Sequence, residues 1–114
     1  MRPRRGKRGE QDGLVFDSAP ELSRYIELKM LQRVGEISKL QCHPTFRLIV
    51  NEQEICKYTP DFQYIDRANA CVVEDVKAWR RSPKTGKLLP LVNREFGIKV
   101  KLMKACFGIE VRCV

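Results

Sequence analysis

The chain has one histidine and no Cys-x-x-Cys pair, which leaves a zinc site poorly supported. Its five cysteines (Cys42, Cys56, Cys71, Cys106 and Cys113) are an odd number, spaced 14, 15, 35 and 7 residues apart, and a closed disulfide framework is excluded with them. Thiols used this way suit small core residues of a reduced, cytoplasmic protein. No apolar run approaches the length of a membrane span, no signal-peptide core is visible near the start, and no segment repeats. Acids are scarce where bases crowd. Residues 77–104 hold nine basic side chains (Lys77, Arg80, Arg81, Lys84, Lys87, Arg94, Lys99, Lys101 and Lys104) against the single acid Glu95. A stretch so one-sided is expected to face phosphate, and nucleic acid rather than a membrane is the expected partner.

What is present fits one domain. At 114 residues, with net charge +8 and pI about 9.5, the chain can bury a core but has no room for separate catalytic and recognition domains. Residues 1–13 read as a basic disordered tail with too little apolar content to offset its own ordering entropy, and residues 14–114 as the folded domain. Ser18-Ala19-Pro20-Glu21 has the form of a capping box, opening a helix that runs to about Val34-Gly35. Apolar residues nearly encircle this helix, so it is expected to be largely buried. Residues 40–44 read as an extended connector, 45–50 and 54–58 as a hairpin, 61–65 as a strand, and 71–77 as the most hydrophobic and therefore central strand. Residues 79–90 read as a polar, basic loop, 93–107 as a second helix closed by Gly108, and 109–114 as a last strand. The expected fold class is α/β, a mixed central sheet flanked by two helices in the order αβββαβ.

Pro60-Asp61-Phe62 and Val73-Glu74-Asp75-Val76-Lys77 carry the chemistry. Side chains alternate along a strand, so Cys71, Val73, Asp75 and Lys77 share one face, while Val72, Glu74 and Val76 share the other. Asp75 and Lys77 therefore point together, with Asp61 supplied by the preceding strand. A carboxylate pair beside an ammonium can grip a hard cation and orient a water against a phosphodiester. Glu74 is aimed away and reads as a polar group of the second face or the partner of a basic residue. Trp79 reads as a strand-end anchor in preference to a base-stacking group, and His43, beside Pro44, as a structural polar contact.

These residues, together with Phe16-Asp17-Ser18-x-x-Glu21, Arg24-Tyr25, Glu27-Leu28, Gly35-Glu36-Ile37, Leu40-Gln41, Tyr58 and Ile98-Lys99-x-Lys101-Leu102-Met103, resemble a small phage and prophage family of the PD-(D/E)XK superfamily. That family is of poorly characterised function and related to phage endonuclease I type Holliday-junction resolvases. The resemblance covers residues 14–113 and implies the restriction-endonuclease-like core. It implies a Mg²⁺-dependent DNA endonuclease, with Mn²⁺ able to substitute, acting in DNA recombination or processing in the bacterial host cytoplasm. It also implies a helix-one glutamate as third carboxylate. Glu21 matches that position, with Glu27 in reserve, although Glu21 is equally the acceptor of its capping box.

On this reading Asp61, Asp75 and Glu21, with the carbonyl of Val76, hold the metal, and Lys77 serves the nucleophile or the developing charge. Arg80, Arg81, Lys84, Lys87, Lys99, Lys101 and Lys104 hold flanking phosphates, which gives affinity without base reading. Branched DNA is then the expected substrate. A homodimer is expected too, because resolving a junction takes two symmetric cuts. The rival readings are a non-catalytic nucleic-acid-binding protein that kept the fold and a nuclease directed at RNA.

Overall fold

The computed structural model describes residues 9–114. In chain order the elements are β1 (Gly9–Gln11), β2 (Leu14–Phe16), α1 (Ala19–Arg33), β3 (Ser38–Cys42), β4 (Phe46–Val50), β5 (Gln53–Tyr58), β6 (Phe62–Ile65), β7 (Cys71–Asp75), β8 (Trp79–Arg81), β9 (Leu88–Pro90), α2 (Arg94–Phe107) and β10 (Val111–Cys113). Four of the strands make the central mixed sheet, ordered β10-β7-β6-β3. β3 pairs antiparallel with β6, β6 antiparallel with β7, and β7 parallel with β10 after the crossover through α2. The hydrophobic strand β7 is interior, as its composition requires.

Alternation along β6 and β7 splits the interior into two cores. Phe62, Tyr64 and Val72 turn to one face, where Phe16, Tyr25, Leu28 and Ile37 close over them from β2, α1 and the turn that follows it. Val73 turns to the other face and packs with Met103 of α2 and with Leu48 and Tyr58 of the β4–β5 hairpin. The two helices thus cover opposite faces of the sheet. The β4–β5 hairpin turns through Asn51 and Glu52, both at positive φ (48° and 66°), the backbone that a two-residue type I′ loop requires. Gly108 caps α2 in the left-handed conformation, and Asn93 accepts the Phe96 N–H at its start.

Four sequence expectations need correction. First, residues 40–44 are no mere connector. Ser38–Cys42 is a strand of the central sheet, disguised by a register shift between Ser38 and Gln41 and by Lys39 at φ 54°. Second, residues 79–90 form the antiparallel β8–β9 hairpin rather than an irregular loop. Third, α1 buries only one side. Tyr25 and Leu28 are in the core, but Met30 and Val34 are 61% and 70% exposed, so the apolar residues of its outer face meet solvent. Fourth, all five cysteines are free but only half-buried, at the margins of the core.

The first eight residues of the expected tail lie outside the described part of the chain. Gly9–Gln11 pairs with β2, and the Tyr25 hydroxyl donates to Asp12 Oδ2 at 2.7 Å, so order begins before residue 14. Gly9 packs so closely on Leu22 that a Cβ there would stand 2.3 Å from its Cδ2. No described helix is long and apolar enough to cross a membrane.

Candidate active site

β7 presents two successive acids to opposite faces of the sheet. Glu74, fully buried on the α1 side, receives the Arg24 guanidinium through Nε (2.8 Å) and Nη2 (2.7 Å) and the Tyr64 hydroxyl as well. It is the partner of a basic residue, as its alternation suggests, and Arg24 is held charged more firmly than usual by that bond. Asp75, also buried, points to the α2 side. The Tyr58 hydroxyl donates to its Oδ2, and the Lys77 ammonium stands 3.8 Å from the same oxygen. Burial pushes the Asp75 carboxyl up to about 6; the Tyr58 bond and Lys77 oppose this, while the neighbouring Asp61 adds to it. The Tyr58 hydroxyl is itself pushed well above its ordinary range by burial and by Asp75.

Asp61 follows the buried Pro60 at the entry to β6. The Val76 N–H donates to Asp61 Oδ2 at 2.7 Å, which ties the carboxylate to the strand end that carries Asp75 and Lys77. Its carboxyl is raised chiefly by burial; the neighbouring Asp75 and the Val76 N–H oppose this, and Glu21 adds to it. Asp61 thus sits at the ends of the central strands between Asp75 of β7 and Glu21 of α1, interacting with each.

Glu21 reaches that point from the first turn of α1. Ser18 is the N-cap, and its Oγ accepts the Glu21 N–H at 3.3 Å, so half of the expected capping box is present. The reciprocal half is displaced by one residue: Glu21 Oε2 accepts the Asp17 N–H at 3.2 Å. Its other oxygen, Oε1, faces the sheet, 2.6 Å from His43 Nε2. Capping and site geometry are served by the two oxygens of one buried carboxylate. Glu27 is solvent-exposed, 3.4 Å from the Arg24 guanidinium, and does not join the group.

Lys77 Nζ also sits 4.0 Å from the centroid of the Phe96 ring, a cation–π contact that fixes the ammonium beside Asp75. Beyond it opens a cleft of about 370 Å³ lined by Lys57, Tyr58, Asp75, Lys77, Phe96 and Lys99. Of the expected phosphate-binding residues, Lys99 lines this cleft, 3.1 Å from Glu95. Arg80, Arg81, Lys84 and Lys87 stand exposed on the β8–β9 hairpin, which leaves the domain directly after Lys77 and Ala78. Lys104 is bonded to Glu110 at 2.8 Å, and Lys101, about 200° round the helix from Lys99, faces outward. The structure thus brings Lys99 toward Asp75, while Lys101 and Lys104 lie outside the cleft.

Two members of the site escape a reading of the sequence. Tyr58 stands in Tyr-x-Pro-Asp, a spacing that supplies both its hydroxyl and Asp61. His43 lies between a strand hidden by its irregularity and Pro44.

The profile of a family described as "Protein of unknown function (DUF1064)" matches residues 2–105. The chain belongs to the DUF1064 family. Glu21, His43, Tyr58, Asp61, Asp75, Lys77 and Lys99 all fall inside the matched span, so the site of this DUF1064 protein lies within the family region. Among curated proteins and solved structures, none matches the chain.

Proposed function

We propose that this DUF1064 protein is a metal-dependent endonuclease that cuts DNA, with branched DNA preferred. The observation that carries the reading is the placing of Asp61 between Glu21 and Asp75 at the ends of the central strands, with the Lys77 ammonium 3.8 Å from Asp75 Oδ2. Buried carboxyls crowded together are costly, and a polyanion approaching them would make matters worse; a divalent cation relieves both. The order α1-β3-β6-β7-α2-β10, with its antiparallel, antiparallel and parallel pairings, supports the αβββαβ restriction-endonuclease-like core.

The donors fit Mg²⁺, a hard ion that takes oxygen ligands and keeps some of its water. Asp61 and Asp75 would hold it, with Glu21 and the Val76 carbonyl completing the set. When bound, the ion polarises the scissile phosphate and lowers the pKa of water. The remaining chemistry belongs to the chain. Tyr58 fixes the Asp75 carboxylate, the Val76 N–H fixes that of Asp61, and Phe96 holds Lys77 where its ammonium can orient a water or meet the charge that develops on phosphate. Lys57 and Lys99, with the β8–β9 hairpin, grip flanking phosphates without reading bases.

Pairing of two chains would supply two such sites for a junction's two cuts. The test is incubation of purified protein with branched, flapped, linear and single-stranded DNA and with RNA, in Mg²⁺ or EDTA, alongside light scattering with a four-way junction. Branched DNA cut only with metal, by a dimer, is the expected result. Binding without cleavage in every metal would overturn the enzymatic reading.

A further inference from the structure

The chain's single histidine occupies a position that the nuclease reading leaves without a task. His43 directly follows strand β3 with its backbone at φ 54°, a conformation that costs a non-glycine residue energy and in which His, Asn and Asp are over-represented. Its N–H donates to the Asp61 carbonyl at 2.9 Å, locking the two residues side by side. Its Nε2 lies 2.6 Å from Glu21 Oε1, and one ligand atom each from Glu21, His43 and Asp61 falls within 4.8 Å of the others.

A purely structural role would be to satisfy a buried carboxylate, but Glu21 already has the Asp17 N–H on Oε2 and is one of two adjacent acids. The imidazole comes from the open side, its side chain 37% exposed, so a solvent path reaches the group. Donors around an ion with bonds of about 2.1 Å stand about 3 Å apart, so a small opening of the His43–Glu21 contact admits one. One imidazole with two carboxylates is a donor set that first-row transition ions take in preference to Mg²⁺, which favours oxygen alone.

We propose that Glu21, His43 and Asp61 form a binding site for a divalent first-row transition ion, adjoining the Asp61–Asp75 side of the centre through the shared Asp61. The site rests on the metal-centre reading in sharing two acids with it, yet its signature is binding and metal preference, which do not require cleavage.

The test uses the full chain stripped with chelator and titrated calorimetrically with Mn²⁺, Co²⁺ and Mg²⁺, with Co²⁺ absorption as a second readout. His43→Asn is the variant of choice because Asn tolerates the left-handed backbone that Ala does not. Wild type is expected to bind Mn²⁺ and Co²⁺ at least about tenfold more tightly than Mg²⁺, and His43→Asn to lose that preference and the visible Co²⁺ bands while Mg²⁺ binding changes less than about twofold. His43→Gln, checked for folding by circular dichroism, repeats the measurement with a longer side chain. Equal affinities for the three ions in wild type, or an unchanged preference in both folded variants, would overturn the site. A His43-dependent preference in a protein that cuts nothing would sustain the site and sink the nuclease; Mg²⁺-driven cleavage with no such preference would do the reverse.

Discussion

Glu74 and Asp75 are neighbours in sequence and opposites in environment. Glu74 is sealed under α1 and fully compensated, with a bidentate guanidinium and a tyrosine hydroxyl on its two oxygens. Asp75 is almost as buried, but its partners are one hydroxyl, an ammonium at 3.8 Å and a second carboxyl. A buried charge with all its partners holds a fold together; one short of countercharge is expected where a ligand brings the rest. One strand thus carries a structural acid on one face and a candidate catalytic acid on the other, and the period of two separates them.

The sharpest way to break the comparison is to neutralise each acid in turn. Asp75→Asn and Asp61→Asn are expected to reduce metal-dependent cleavage to background while leaving the thermal melt and the DNA affinity in EDTA near wild type or improved, since each removes a repelling charge. Glu74→Gln is expected to do the opposite. Exchanging this carboxylate for an amide leaves the half-buried Arg24 guanidinium with only the exposed Glu27 as countercharge and should cost about 1–3 kcal/mol in a denaturant titration, with cleavage per folded molecule retained. Near-normal cleavage by Asp75→Asn would remove the distinction.

Acidity sharpens the same contrast. In metal-free buffer, Asp75 held at about 6 instead of 3.8 means that the unfolded chain releases this proton first as pH rises. Below pH 4 both states keep the proton and no cost arises. Between about pH 4 and 6 stability falls, and above that the full cost, about 3 kcal/mol, persists. Denaturant titrations in EDTA from pH 4 to 8 should show this loss, and Asp75→Asn should reduce it, leaving the part that the raised Asp61 contributes. A stability that instead rises through pH 4–6 in wild type would show that Asp75 is better compensated than its partners indicate.

Glu21 tests whether one residue can belong to both sides of the comparison. Its Oε2 serves the helix start and its Oε1 the site. Glu21→Gln keeps a side-chain acceptor for the Asp17 N–H, so it should lower the melting temperature by only a few degrees, a loss of about 1 kcal/mol or less. Cleavage should fall far more steeply. Equal modest losses in both measurements would return Glu21 to capping alone.

The sequence makes the acids legible and much of their setting obscure, for physical reasons. β7 is readable because five consecutive strand residues alternate cleanly between two buried faces. Asp61 is readable because proline fixes the turn before it. β3 is hidden because Lys39 takes a left-handed backbone inside it and breaks the period. With β3 hidden, His43 has no visible address, and a lone histidine next to a proline gives no hint that it follows a strand and sits beside Asp61. The exposed outer face of α1 is unreadable for another reason: apolar spacing shows which residues can be buried, while the number of layers above them decides which are.

The smallest effect separates two lysines on α2. Lys99 lines the cleft beside Asp75 and Lys77, and Lys101 points outward from the opposite side of the helix. Each contributes one charge to a strongly basic protein, so general attraction for DNA treats them alike, and only a phosphate held at the site distinguishes them. Removing a lysine that contacts phosphate should reduce the slope of log affinity against log salt by about 1 and weaken binding several-fold at low salt. Lys99→Ala is expected to show that change in fluorescence anisotropy with a labelled four-way junction, measured in Ca²⁺ or EDTA to prevent cutting. Lys101→Ala should leave the slope unchanged. Its Glu95 partner gives Lys99 a further signature: DNA must displace that ion pair, so Glu95→Gln should tighten binding slightly in the wild-type background and have no effect once Lys99 is gone. Equal slopes for both lysine variants would mean that DNA crosses some other surface of the protein, leaving the acids at the ends of β6 and β7 without a polyanion to act on.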